Sequence, residues 1–126
     1  FTGAKITGQL NTFHYTVIDQ IPGVVKETAM ETFPAMIVAL NAGAIDGYIS
    51  ERPGALAAAE ANPGLAYVAL EEGKGFTASP EDVAVAVGLK KGSELTAKIN
   101  DVLAGISKEQ RQEIMDAAIK AQPLSN

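Results

Sequence analysis

The chain alternates between two hydrophobic periods, and each change of period marks an element. Lys5-Ile6-Thr7-Gly8-Gln9-Leu10 reads as a short strand; Asn11 and Thr12 then offer N-cap residues before Phe13, Val17, Ile18 and Ile21, spaced as one face of a helix that Pro22-Gly23 ends. Val24-Val25-Lys26-Glu27 is β-branched enough for a second strand. Thr32 and Pro34 have the arrangement of a helix start, Met36, Ile37 and Leu40 supply its apolar face, and Gly43 is a natural stop. Ile45 to Glu51 predicts a third strand, after which Pro53 opens an alanine-rich helix reaching about Ala61, where Asn62-Pro63-Gly64 breaks it.

Leu65 to Leu70 predicts another strand and Glu71 to Pro80 a glycine-containing connection. Val83 to Leu89 has no polar face, the pattern of a strand buried on both sides. From Gly92 onward only the helical period remains. Leu95, Ile99, Val102, Leu103 and Ile106 mark one amphipathic helix; Ile114, Met115, Ala118 and Ile119 mark a second, opened by Ser107 with Gln110 at capping-box spacing. Strands alternating with helices imply βαβ units, hence an α/β fold with a mostly parallel sheet of about five strands flanked by helices, followed by two C-terminal helices. The expected division is residues 1–90 for the α/β part and 91–126 for the helical segment. No internal repeat or low-complexity segment interrupts it.

The 126 residues suit one hydrophobic core, and a composition 47% hydrophobic and 20% charged is that of a globular chain. A net charge of −5, with the ten Lys and Arg scattered, argues against nucleic acid as a partner. No apolar run approaches the roughly 20 residues that span a bilayer. The absence of cysteine removes disulfides and thiolate chemistry without fixing a compartment. The chain opens without Met and enters a strand almost at once, which is expected of an excised or processed segment.

In open parallel sheets ligands sit beyond the carboxyl ends of strands. Two loops there carry candidate chemistry. At Leu10-Asn11-Thr12-Phe13, free backbone N–H groups, the positive end of a helix dipole and the Thr12 hydroxyl would suit a carboxylate; the alternative is a helix that merely caps itself with Asn11 or Thr12. At Ser50-Glu51-Arg52-Pro53, a carboxylate stands at a strand end, where it could take an ammonium group; the alternative is a solvated acid or a pair with Arg52. Asp46 is expected to make local backbone hydrogen bonds rather than contact a ligand. His14, the one histidine, is expected to be a partly exposed helical residue, because no nucleophile or metal-ligand spacing accompanies it. Gly88 to Ser93 lacks phosphate-loop spacing, and Glu71-Glu72 and Lys90-Lys91 read as solvated charge pairs.

Three segments in order, Lys5 to Thr12, Ala39-Leu40-Asn41-Ala42-Gly43-Ala44-Ile45-Asp46-Gly47-Tyr48, and Glu51-Arg52-Pro53, resemble the second lobe of the type II amino-acid-binding proteins that feed ABC importers. Val83 to Leu95 resembles that family's last second-lobe strand and the turn into its C-terminal helices. The resemblance spans nearly the whole chain and rests on ordered combination rather than on one motif. It implies a bilobed receptor that closes on an amino acid, with no cofactor and no catalysis. Asn11, Thr12 and the Phe13 backbone would hold the α-carboxylate and Glu51 the α-ammonium.

Two positions depart from the family pattern: Asn11 stands where Gly is common, and Glu51 where Asp is common. The resemblance further implies partners: a polar amino acid of the glutamine, asparagine or glutamate kind, an ABC permease in the membrane, and a first lobe outside this chain. The final helices would return toward that lobe, leaving an apolar face open to self-association. The implied location is the periplasm or the extracellular face of a Gram-positive membrane, with tethering through parts outside the chain. The same fold also serves as the effector domain of transcriptional regulators and sensor kinases, a second reading that flanking sequence would separate.

Overall fold

Ile6, Thr7 and Gly8 are all buried, so β1 (Lys5–Gly8) shows no alternation of faces, as a central parallel strand covered on both sides should. The computed structural model describes residues 1–71 and 73–121. In it β1 pairs in parallel with β2 (Val25–Lys26), Lys5 opposite Val25, and with β3 (Gly47–Ile49), Thr7 opposite Tyr48. The order is β2-β1-β3, extended by one bridge between Gln9 and Met30. The fold is mixed α/β, with three parallel strands rather than about five among the described residues.

Between β1 and β2 the expected helix over Phe13 to Ile21 is a single α-turn, α1 (Phe13–Thr16), running into a 3-10 turn at Val17–Gln20. Pro22 is the physical reason. It lacks an N–H, its ring crowds the carbonyl four residues back, and it drives Ile21 to an extended backbone at φ −94 and ψ 112. The apolar face still lands where the spacing places it: Val17 and Ile18 are buried and join Ile6, Met36 and Ile45 in the core.

α2 (Phe33–Asn41) starts as its sequence requires, with Pro34 in the first turn and the Thr32 hydroxyl accepting the Ala35 N–H at 3.3 Å. It stops at Gly43, whose φ of +69 admits the left-handed turn that closes the helix. Asp46 then ties the next strand down, its carboxylate accepting the Lys5 N–H at 2.8 Å while its own N–H donates to the Lys5 carbonyl at 2.8 Å. After β3, α3 (Arg52–Ala61) runs the expected length and ends where Asn62 donates back to the Ala58 carbonyl at 2.9 Å.

Two expected strands are not paired. Residues 65–70 form neither helix nor strand and, apart from Leu65, are exposed; residues 84–90 likewise form neither and are exposed. β-branched composition favours an extended backbone, but a strand exists only where an edge offers ladder partners. Val83 itself closes a short helix, α4 (Pro80–Val83), whose Ser79 hydroxyl accepts the Asp82 N–H.

Two units divide the chain, Phe1–Val83 and a second from Ala84 onward, a boundary slightly before the one expected near residue 90. The second unit holds α5 (Leu95–Ala104) and α6 (Lys108–Ala121). The capping box is formed: Ser107 Oγ accepts the Gln110 N–H at 3.2 Å, and Gln110 Oε1 accepts the Ser107 N–H at 2.9 Å. Arg111 donates to the Ile106 and Leu103 carbonyls, joining the start of α6 to the end of α5. Neither helix buries a residue, and Val102 and Ile114 stand exposed. Of the proposed solvated acid pair, Glu71 is exposed and bridged to Lys74 at 2.6 Å, whereas Glu72 lies outside the described residues, as do 122–126.

Candidate functional site

From β1 the chain runs to β2 on one side and then crosses to the other side of β1 for β3, so the direction of winding switches between β1 and β3. Crevices at such switch points, outside the carboxyl ends of the strands, are where open α/β sheets hold ligands. The loop after β1 contains Asn11, Thr12 and Phe13, and the residues after β3 are Ser50 and Glu51.

The first loop is a tight turn. Thr12 N–H and Thr12 Oγ1 both donate to the Gln9 carbonyl, at 3.3 and 2.8 Å, and Leu10 N–H donates to Met30 at 2.8 Å. Asn11 occupies the left-handed region at φ +60, alone among the described non-glycine residues. Asn enters that region more readily than most side chains, and only Gly does so more freely. Thr12 takes the N-cap backbone of α1, but its hydroxyl makes no cap bond and braces the turn. The backbone N–H groups of Phe13 and His14 have no acceptor among the described residues, so they are the donors an anion would meet. Because α1 is one turn long, these N–H groups and not a long helix dipole make the loop anion-friendly.

The second loop begins α3. Glu51 has the extended N-cap backbone and its carbonyl accepts the Ala55 N–H at 3.0 Å, yet its carboxylate makes no cap bond and is 58% exposed. It does not pair with Arg52. Its ion-pair neighbour is His14, whose Nε2 lies 3.5 Å from Glu51 Oε1.

His14 is a correction to the sequence reading: it is buried, at 5% relative exposure, rather than partly exposed. Its spacing carried the signal, since it precedes the buried Val17 and Ile18 by three and four residues and shares their face. Neither ring nitrogen makes a hydrogen bond; Nε2 lies within ion-pair range of Glu51 but not in donor geometry, and the pair carries opposite charges only if the ring is protonated. The imidazole lies beside the Phe13 ring, with centroids 4.2 Å apart.

A cavity of about 590 Å³ opens between these loops and the sheet, lined at its polar end by Phe13, His14, Ser50, Glu51 and Arg52. The remaining wall is mostly apolar and includes small side chains of α3 such as Ala55 and Ala58. Tyr48 from β3 also lines it, and burial pushes its phenol above the ordinary range, so that it stays a neutral donor. Of the residues singled out in the sequence, Phe13 and Glu51 thus face one cavity, while Asn11 and Thr12 shape the turn beside it without lining it. Tyr48 went unrecognised because a tyrosine in a strand pattern signals packing as readily as recognition.

No hydroxyl donates to His14, so the described residues contain no nucleophile–base pair around it. Nor do they contain a group of three His, Cys, Asp or Glu side chains placed to hold a metal ion. Among them no helix is long and apolar enough to cross a membrane. Comparison with known proteins finds no matching family model, no matching curated sequence and no matching solved structure.

Proposed function

We propose that the Phe1–Val83 unit carries half of a binding site for a zwitterion, a polar amino acid, and that the chain is the second lobe, with C-terminal helices, of an amino-acid-type solute-binding protein serving an ABC importer. The observation that carries this reading is the convergence of a donor-rich turn and an acid at one switch point: free Phe13 and His14 N–H groups after β1, and the Glu51 carboxylate after the neighbouring β3. A carboxylate and an ammonium on one carbon need such a pair of opposite partners. In this reading Asn11 and Thr12 hold the turn, Phe13 and His14 present their N–H groups to the carboxylate, and Glu51 takes the ammonium.

The rest of the site is a first lobe outside this chain, and the function is capture by closure with no covalent step. The exposed apolar residues of α5 and α6 support helices that pack on the first lobe. The location that goes with this role is the outer face of a membrane or the periplasm, beside the permease.

Half a site binds weakly. A micromolar site has about −8 kcal/mol, and half of it leaves about −4, a millimolar interaction. The test is an amide chemical-shift titration of this chain with millimolar glutamine, asparagine, glutamate, arginine and, as control, glucose. Saturable shifts at 11–15 and 50–52 with the amino acids alone are expected; equal shifts with glucose, or none there when the missing lobe is supplied, would sink the reading.

A further inference from the structure

His14 is the feature that the proposed carboxylate and ammonium contacts leave unused. It is buried, at 5% exposure, lines the cavity, and leaves both ring nitrogens without a hydrogen-bond partner. Buried polar atoms are nearly always satisfied, so two unsatisfied nitrogens on one ring of the cavity wall point to a role outside packing. The charge nearest to them is Glu51 Oε1, 3.5 Å from Nε2.

We infer that His14 gates the Glu51 carboxylate: an imidazolium at His14 and a ligand ammonium compete for the same acid, so a cation binds there only when His14 is neutral. The inference takes its ligand from the amino-acid reading above. The geometry supplies the competition. With His14 protonated, Nε2–H carries positive charge within ion-pair distance of Glu51, neutralising the acid and repelling a second cation beside it. With His14 neutral, the exposed Glu51 carboxylate keeps its charge for the ammonium.

The other charged and titratable groups lining the cavity are Asp46, whose carboxylate is engaged by the Lys5 N–H, Tyr48, whose phenol burial pushes up, and Arg52, Tyr67 and the Phe1 amino terminus, and none of them forms an ion pair with Glu51. Histidine is the side chain whose charge ordinarily changes between about pH 5 and 8. Loss of one proton on binding makes affinity fall about tenfold for each pH unit below the His14 midpoint and level off above it. By reciprocity the ligand must lower the proton affinity of His14.

Because the chain has one histidine, its ring resonances report this directly in the full 126-residue protein. The ring is titrated with acid in the wild type and in Glu51→Gln, each without ligand, with millimolar L-glutamine, and with methylammonium as a bare cation. Expected is a midpoint lowered by either cation in the wild type and unmoved in Glu51→Gln. A wild-type midpoint that neither cation moves would overturn the gate. If methylammonium lowers the wild-type midpoint and glutamine does not, the gate stands and the amino-acid reading fails. A His14→Gln variant supplies the second check: its cation affinity should be flat with pH, and a retained tenfold-per-unit slope would also overturn the inference.

Discussion

The Gln20 carboxamide grips the Thr77 backbone from both sides, its Nε2 donating to the Thr77 carbonyl at 2.7 Å and its Oε1 accepting the Thr77 N–H at 2.8 Å. One side chain thereby stands in for a ladder partner and pins the segment that follows the unpaired residues 65–70 to the end of the 3-10 turn. Both hydrogen bonds are exposed, so each contributes near the low end of the usual range. Gln20→Ala should cost about 1 kcal/mol, read as roughly fivefold faster hydrogen exchange at the Thr77 amide, with β1 amides unchanged.

Gly8 is where α1 closes on the sheet. A methyl group there would fall 2.9 Å from both the Cα and the backbone N of Tyr15, and backbone cannot step aside as a flexible side chain could. Gly8→Ala should destabilise the Phe1–Val83 unit by about 1–3 kcal/mol in urea denaturation. It should also push the Phe13–His14 turn away from Glu51, changing the His14 ring environment.

At Asn11 the relevant quantity is the positive φ. Asn11→Gly should leave stability within about 0.5 kcal/mol, since relief of the left-handed backbone is offset by the greater freedom of Gly in the unfolded chain. Asn11→Val, which forces a β-branched residue into the same region, should lose about 1–2 kcal/mol. Urea midpoints of the three proteins would show the order Gly near Asn, well above Val.

The start of α6 should be pH-sensitive. Glu109 titrates below the ordinary glutamate range because its carboxylate accepts its own backbone N–H and, next, the Ser107 hydroxyl, the latter at 2.8 Å. A group depressed in the folded state contributes stability above its unfolded range and loses it as pH falls through the lowered folded value. Helical circular dichroism should therefore decline on acidification through that window, and Ser107→Ala should weaken the dependence while fraying the first turn of α6.

Two helices with both ends written in the sequence, α2 and α3, came out at their expected bounds, whereas the first, ended by Pro22, did not. α2 has Thr32, Pro34 and Gly43, and α3 has Pro53 and Asn62; each of these acts through neighbouring backbone and needs no distant partner. Three of the expected strands paired and two did not. Nothing local in Leu65–Leu70 or Val83–Leu89 names the edge that would receive them, and sheet membership is a property of two segments. The site divides in the same way. The Asn11–Phe13 turn and Glu51 were visible as loop chemistry at strand ends, because the motif and the topology rule are both local. The burial of His14 against Glu51 was missed because its polarity outweighed its spacing, and the cavity wall at Tyr48 depends on how β3 sits beside β1.

The double hydrogen bond between Lys5 and Asp46 joins positions 41 residues apart in the chain. Closing a loop of that length carries an entropic cost, rising as (3/2)RT ln n, that must be met before the contacts it permits can reward it. The turn after β1 rests on contacts within residues 9–30, whereas Glu51 comes beside it only where Asp46 docks on Lys5. The meeting of the two loops therefore depends on this one long-range closure rather than on the local structure of either loop.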